Sequence, residues 1–288
     1  MTPRRSRAGF TLVELLVGVF IMSVVGTGLV KLIMGQTRYM DQQEAWRSAR
    51  AVSRGSLNLM MSDIRMVEAT GGLEAAAAGG RDFTLRVPYA FGVICSANGT
   101  SATASLMPVD SAMFFGAGFS GFAWRSSAGA YTYVTVSPTL NTNGTTANCT
   151  AANITTLAAY NGSPAGRVVN LGGTMGTVPP VGSLVFLYRR VRYEFKNSVV
   201  LPGRTALWRT LVSTGATEEL AGPFDATARV RFYLLNGAAA QDAVPSPLGN
   251  TRGFQFSLDG MSENTPRGST GPKVNTITTS VYFENRPD

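Results

Sequence analysis

The stretch RRSRAGFTLVE at residues 4–14, continued without a break by LLVGVFIMSVVGTGLV at residues 15–30, decides how this chain is built. Three arginines (Arg4, Arg5, Arg7) precede Gly9, an apolar segment opens with Phe10, and one acid, Glu14, interrupts it. A secretory signal ordinarily carries its small-residue cleavage site after the apolar core. Here the small residue stands before the core, so a cut after Gly9 removes only a basic leader, residues 1–9, and leaves the apolar helix attached. Residues 15–30 carry no charge, and with 10–13 and 32–34 they approach the ~20 residues that a membrane helix needs. The arginines flank the N-terminal side, which keeps the leader cytoplasmic and sends the remainder across.

The order Gly9-Phe10-Thr11-Leu12-Val13-Glu14, followed by a spanning-length apolar run, resembles the class III signal of type IV prepilins and type II secretion pseudopilins. The resemblance implies cleavage by a prepilin peptidase between Gly9 and Phe10, then N-methylation of Phe10. It also implies a single-pass start in the inner membrane, with the N-terminus cytoplasmic and the head periplasmic, then transfer into a pilus or pseudopilus at the cell surface. The partners implied are the peptidase, other minor and major pilins, an inner-membrane assembly platform and, before assembly, membrane lipid.

On those terms Glu14 carries the chemistry. It lies about 6 Å along a helix from the new terminus. A charge at mid-bilayer costs ~2.5–3.5 kcal/mol on insertion scales and much less near the interface. In a dry bundle of helices the same carboxylate needs a partner. The amine of Phe10 on a neighbouring subunit, released only by leader removal, is the nearest one. A Glu14–Phe10 charge pair rewards the correct axial stagger and couples processing to assembly. Gly18, Gly26 and Gly28 weaken the helix or let neighbours approach closely.

From Phe10 to about Glu68 there is no proline and little turn signal, which predicts one continuous helix roughly 85 Å long. Residues 10–34 are apolar all round and 35–68 are amphipathic. Trp46, Ala49, Ser53, Leu57, Met60, Ile64 and Val67 recur at steps of three and four, while Arg47, Arg50, Arg54, Asp63 and Arg65 fall largely outside that stripe. The Gly71-Gly72 pair and the run EAAAAGG at 74–80 mark its exit. Seven β-like segments follow, at 83–87, 131–136, 184–195, 206–212, 228–235, 254–258 and 274–283. Residues 96–182, rich in Gly, Asn, Ser and Thr, read as a loop-rich insertion. The expected fold class is α+β: a long N-terminal helix packed on an antiparallel sheet, with residues 69–288 forming the head.

The helix also carries Ser62-Asp63-Ile64-Arg65-Met66, and the head carries YRRVRY at 188–193, ALWR at 206–209, ELAGPF at 219–224 and TTSVYFENR at 278–286. Together these look like the PilW/GspJ group of large minor pilins. That resemblance implies a minor pilin that primes assembly and joins the tip complex, with a type II secretion pseudopilin or a pilus-borne adhesin or DNA-uptake subunit as alternatives.

The remaining chemistry is sparse. Cys95 and Cys149 can pair in an oxidising compartment, and a loop of that size restricts the unfolded chain by roughly 4 kcal/mol. The formal charge of +8 falls to +5 once the leader's three arginines are gone. Arg190, Arg192 and Lys196 share a strand face with Glu194, and Arg189 points away with Val191 and Tyr193. That basic patch reads as a solvated face or a pilin interface, with nucleic acid the alternative. The sequence has no histidine, so His-based triads and His metal sites are excluded, and we expect no enzyme activity, cofactor or metal.

Overall fold

The computed structural model describes residues 9, 11–113, 118–126, 129–136, 149 and 168–283. The leader arginines and Phe10 lie outside the described residues. Helix α1 runs from Leu12 to Ile64, 53 residues and about 80 Å. Thr11 caps it, and Arg65, Met66 and Val67 close its end by donating to the Met61, Asp63 and Ile64 carbonyls. It therefore stops four residues short of the expected Glu68. The chain tightens there because Gly72 N–H donates to Glu68 O, and Gly71, at φ +91°, leaves no room for a side chain against Tyr133.

The head is one antiparallel sheet of β1 (Leu73–Ala76), β2 (Asp82–Ala97), β3 (Ser101–Leu106), β4 (Gly121–Arg125), β5 (Tyr131–Thr135), β6 (Val168–Gly172), β7 (Leu184–Asn197), β8 (Thr205–Leu211), β9 (Ala216–Phe224), β10 (Arg229–Leu234), β11 (Thr251–Met261) and β12 (Val274–Tyr282), with a short helix α2 (Pro108–Met113). The backbone order is β10-β11-β9-β8-β7-β2-β3-β6, with β12 on the far side of β11. The fold is α+β, as the sequence predicts.

β2 and β7 pair from Asp82↔Glu194 to Val93↔Leu184 and join two halves of the sheet. In the first half β8 continues from β7, and α1 lies against β9, β11 and β12. Its core gathers Phe83, Tyr193, Phe224, Phe254 and Phe256 around Met60 and Ile64. In the second half β3, β4, β5 and β6 enclose another core around Phe122, Trp124, Val169, Leu171 and Leu187. Segment 96–182 thus contributes more regular structure than the sequence reading allows. Its strands SATASL, GFAWR and VVNLG are short and rich in small residues, so their alternation was too weak to register. β1 and β9 likewise lie outside the seven β-like segments of the sequence. Cys95, at the end of β2, is disulfide-bonded to Cys149 with 4.8 Å between Cα atoms, and both sulfurs are buried beside Val168.

Candidate functional site

The first turn of α1 forms a closed capping box. Thr11 N–H and Thr11 Oγ1–H both donate to Glu14 Oε2 at 3.0 Å, and Glu14 N–H donates to Thr11 Oγ1 at 3.3 Å. A side-chain cap of this kind satisfies orphan donors of the first turn. It is complete within Thr11–Glu14, so loss of residues 1–9 leaves it standing. Both bonds to the carboxylate use Oε2; Oε1 has none among the described residues. A cation arriving from outside the chain can take that oxygen without dismantling the cap. Phe10, the expected donor, lies outside the described residues.

Beyond Glu14 the helix is bare. No side chain from Leu12 to Glu44 is buried, and the most apolar window, with mean hydropathy 2.2, makes no buried contact with the head. Gly18 lies in a shallow apolar groove with Leu15, Val19 and Met22 beside Glu14. A Cβ added at Gly18, Gly26 or Gly28 meets nothing within 4 Å, so these glycines leave the surface open to a second helix.

The second half of α1 is anchored instead. Ala45, Ala49, Ser53, Ser56, Met60, Asp63 and Ile64 are buried, whereas Trp46 stays 40% exposed despite its place in the apolar stripe. Ser53 Oγ accepts from Gly260 N–H at 3.0 Å and donates to Asn275 O at 3.1 Å, tying the helix to β11 and β12. Asp63 is the main correction to the sequence reading, which placed it outside the buried face. The residue is 4% exposed, and its carboxylate accepts from Arg189 Nη2 (2.9 Å), Arg209 Nη2 (3.2 Å) and Tyr193 OH (2.7 Å). Burial and the Asp63 charge push the Tyr193 hydroxyl well above its usual range, so it stays a donor. The signal was present. Asp63 lies in SDIRM, Arg189 and Tyr193 in YRRVRY, and Arg209 in ALWR, three of the motifs already singled out, and the fold brings them to one carboxylate.

Just past the helix, Glu68 is buried, and desolvation pushes it up to about 7 against a hydrogen bond from Tyr131 and the charge of Arg125.

Arg190, Arg192 and Lys196 do share the face opposite Arg189, but each is paired. Arg190 meets Glu74 at 2.6 Å, Arg192 forks onto Asp82 and also reaches Glu194, and Lys196 meets Glu194 at 2.8 Å over the Trp208 ring. Arg229 and Arg231 converge on Asp242. The face is a ladder of alternating charges rather than a cationic stripe. Among the described residues no three His, Cys, Asp or Glu side chains converge as metal ligands would.

Residues 4–30 match the family model of the prokaryotic N-terminal methylation motif. Compared with curated proteins and with solved structures, the chain finds no match. The motif, together with a long apolar N-terminal helix suited to anchoring in a membrane, supports a type IV pilin-like protein, and it implies processing by prepilin peptidase and assembly with other pilins.

Proposed function

We propose that the chain is a minor pilin of a type IV pilus, a non-enzymatic subunit that helps prime assembly and takes part in the tip complex. The observation that carries this reading is the division of α1. The methylation motif opens a half-helix that its own head leaves bare, and the other half is fixed to the head by Asp63 and Ser53. Such a helix has a built-in vacancy for lipid first and for neighbouring helices afterwards. A head spanning residues 69–288 is bulky for a closely stacked shaft and better suited to an end. Glu14 supplies registry: its spare Oε1 takes the Phe10 amine of the next subunit once the leader is gone. The motif serves pseudopilins of type II secretion equally well, which is the second reading. The paired cations on β7 weigh against duplex DNA as a ligand, because neutralised arginines release few counterions.

Two variants separate registry from capping. Glu14→Ala removes both; Thr11→Val removes the cap hydroxyl and keeps the carboxylate. We expect leader cleavage and membrane insertion of both variants, and loss of filament incorporation with Glu14→Ala alone. Incorporation of Glu14→Ala at the parent level would overturn the pairing. Deletion of the gene, scored for surface pili and for secreted enzymes, distinguishes the pilus from the secretion reading.

A further inference from the structure

The sheet ends on β12, whose backbone pairing can be read residue by residue. Ser262 N–H donates to Lys273 O and Phe283 N–H donates to Arg252 O. The register runs without a shift from Gly253↔Tyr282 to Met261↔Val274. Hydrogen-bonded and non-hydrogen-bonded pairs alternate in an antiparallel ladder. Asn275, Ile277, Thr279 and Val281 therefore bond to β11, and Val274, Thr276, Thr278, Ser280 and Tyr282 direct their N–H and C=O groups away from it. Those five residues are also the exposed ones. Among the described residues β12 has no other strand partner.

Edges of this kind are ordinarily blunted by lysine, proline, a bulge or a cover. β12 carries no lysine, proline or bulge, and among the described residues no further strand covers it. From Val274 to Phe283 there is no charge and no proline, and β-branched residues dominate. By contrast, the free side of β10 is occupied: Val230 N–H donates to Gly80 O, and Phe232 exchanges both bonds with Gln241. An uncharged, bulge-free edge nine residues long fits one kind of occupant, an extended strand added to the sheet.

We infer that β12 is a strand-addition site for the head of a different subunit carrying the same N-terminal methylation motif, an inference that rests on the filament reading above. Direction excludes the simplest alternative. Ser53 meets Gly260 and Asn275, and Met60 and Ile64 pack with Phe254 and Phe256, so β11 runs against α1 and β12 runs with it. A second copy anchored in the same membrane presents its own β12 parallel to the first. The self-complementary antiparallel pairing of two identical edges is then unavailable. A neighbour that supplies a strand running toward the membrane completes an antiparallel ladder, with small or polar side chains opposite Thr276, Thr278 and Ser280.

The test uses the full chain, in membranes where mass spectrometry has placed its N-terminus at Phe10, co-expressed singly with each other motif-bearing chain of the same organism. Failure of that cleavage would strike the filament reading; everything that follows bears on β12. Thr278→Pro removes an outward N–H and leaves the β11 ladder intact, so the head keeps its melting temperature, as proline is tolerated at a strand edge. Co-purification of the partner falls about tenfold or more, one hydrogen bond and the steric fit being lost together. Thr278→Val, which keeps the N–H, co-purifies like the parent. Amide exchange slows at Thr276, Thr278 and Ser280 on complex formation; the inward amides at Ile277 and Thr279 are slow throughout. A folded Thr278→Pro chain that co-purifies at the parent level overturns the site. If that variant fails to fold, the exchange pattern decides, and unchanged exchange at the three outward amides is equally fatal. A disulfide joining two T278C chains would put a second copy on the edge and refute the proposed partner, as would the absence of any co-purifying subunit.

Discussion

The two halves of α1 share one backbone and differ in what satisfies them. From Leu12 to Glu44 the helix buries no side chain in its own head, an Asp41–Arg267 ion pair at the surface notwithstanding, and its hydrophobic surface is a demand on the surroundings. From Ala45 to Ile64 every buried position is answered inside the molecule, including two serines and an aspartate. Folding of the head therefore depends on the second half, and placement of the molecule depends on the first. A mutation's phenotype should reveal which half it struck.

The largest expected effect lies at Asp63. Removing one member of a buried ionic cluster leaves the others uncompensated, and Asp63→Ala should destabilise the head by ~3–5 kcal/mol. Urea melts of the purified chain check this. Leu16→Ala, on the bare half, should shift the same melt by less than about 0.5 kcal/mol, as surface changes do. Comparable losses at the two positions would erase the division between the halves.

The next effect marks where the anchored half ends. Glu68 titrates near 7 in the folded protein against 4.5 in a free chain. Between those values the folded state holds more protons than the unfolded one, so stability falls as pH rises through 4.5 to 7 and levels off above. The expected loss is on the order of 2–3 kcal/mol. Glu68→Gln should flatten the profile, read as melting temperature between pH 5 and pH 8. A profile that keeps its slope in the variant would assign the dependence to another group.

How much of this was legible in the sequence depends on what kind of interaction fixed each part. The anchor and its motif were readable because charge order, a glycine and a long apolar run are local properties. The strands at 184–195 and 274–283 were readable from β-branched and aromatic runs. What escaped depended on distant partners. Asp63 looked like a surface acid because helical periodicity reports only apolarity, and nothing nearby indicates that Arg189 and Arg209 arrive 126 and 146 residues later. The pairing of Arg190, Arg192 and Lys196 with Glu74, Asp82 and Glu194 was half visible, since only Glu194 is a neighbour in sequence. Strands such as SATASL bury alanines and serines, whose hydrophobic signal is faint even where burial is complete.

The smallest effect tests how tightly the anchored half is seated. Gly260 lies where β11 passes under α1, and a Cβ built there would stand 2.3 Å from Ser53 Oγ and 2.4 Å from Ala49 O. The second contact is with helix backbone, which cannot swing aside as a side-chain end can. Gly260→Ala must therefore lift the helix or bend the strand, at roughly 1–3 kcal/mol. Gly26→Ala, with nothing within 4 Å, should leave the melt of the isolated chain where it was. In a filament the order should reverse. There Gly26 is a candidate for helix contact, and Gly260, buried inside its own head, is not. Assembly assays that rank the two glycines as the melts do would place both halves of α1 under the same constraint and remove the distinction between them.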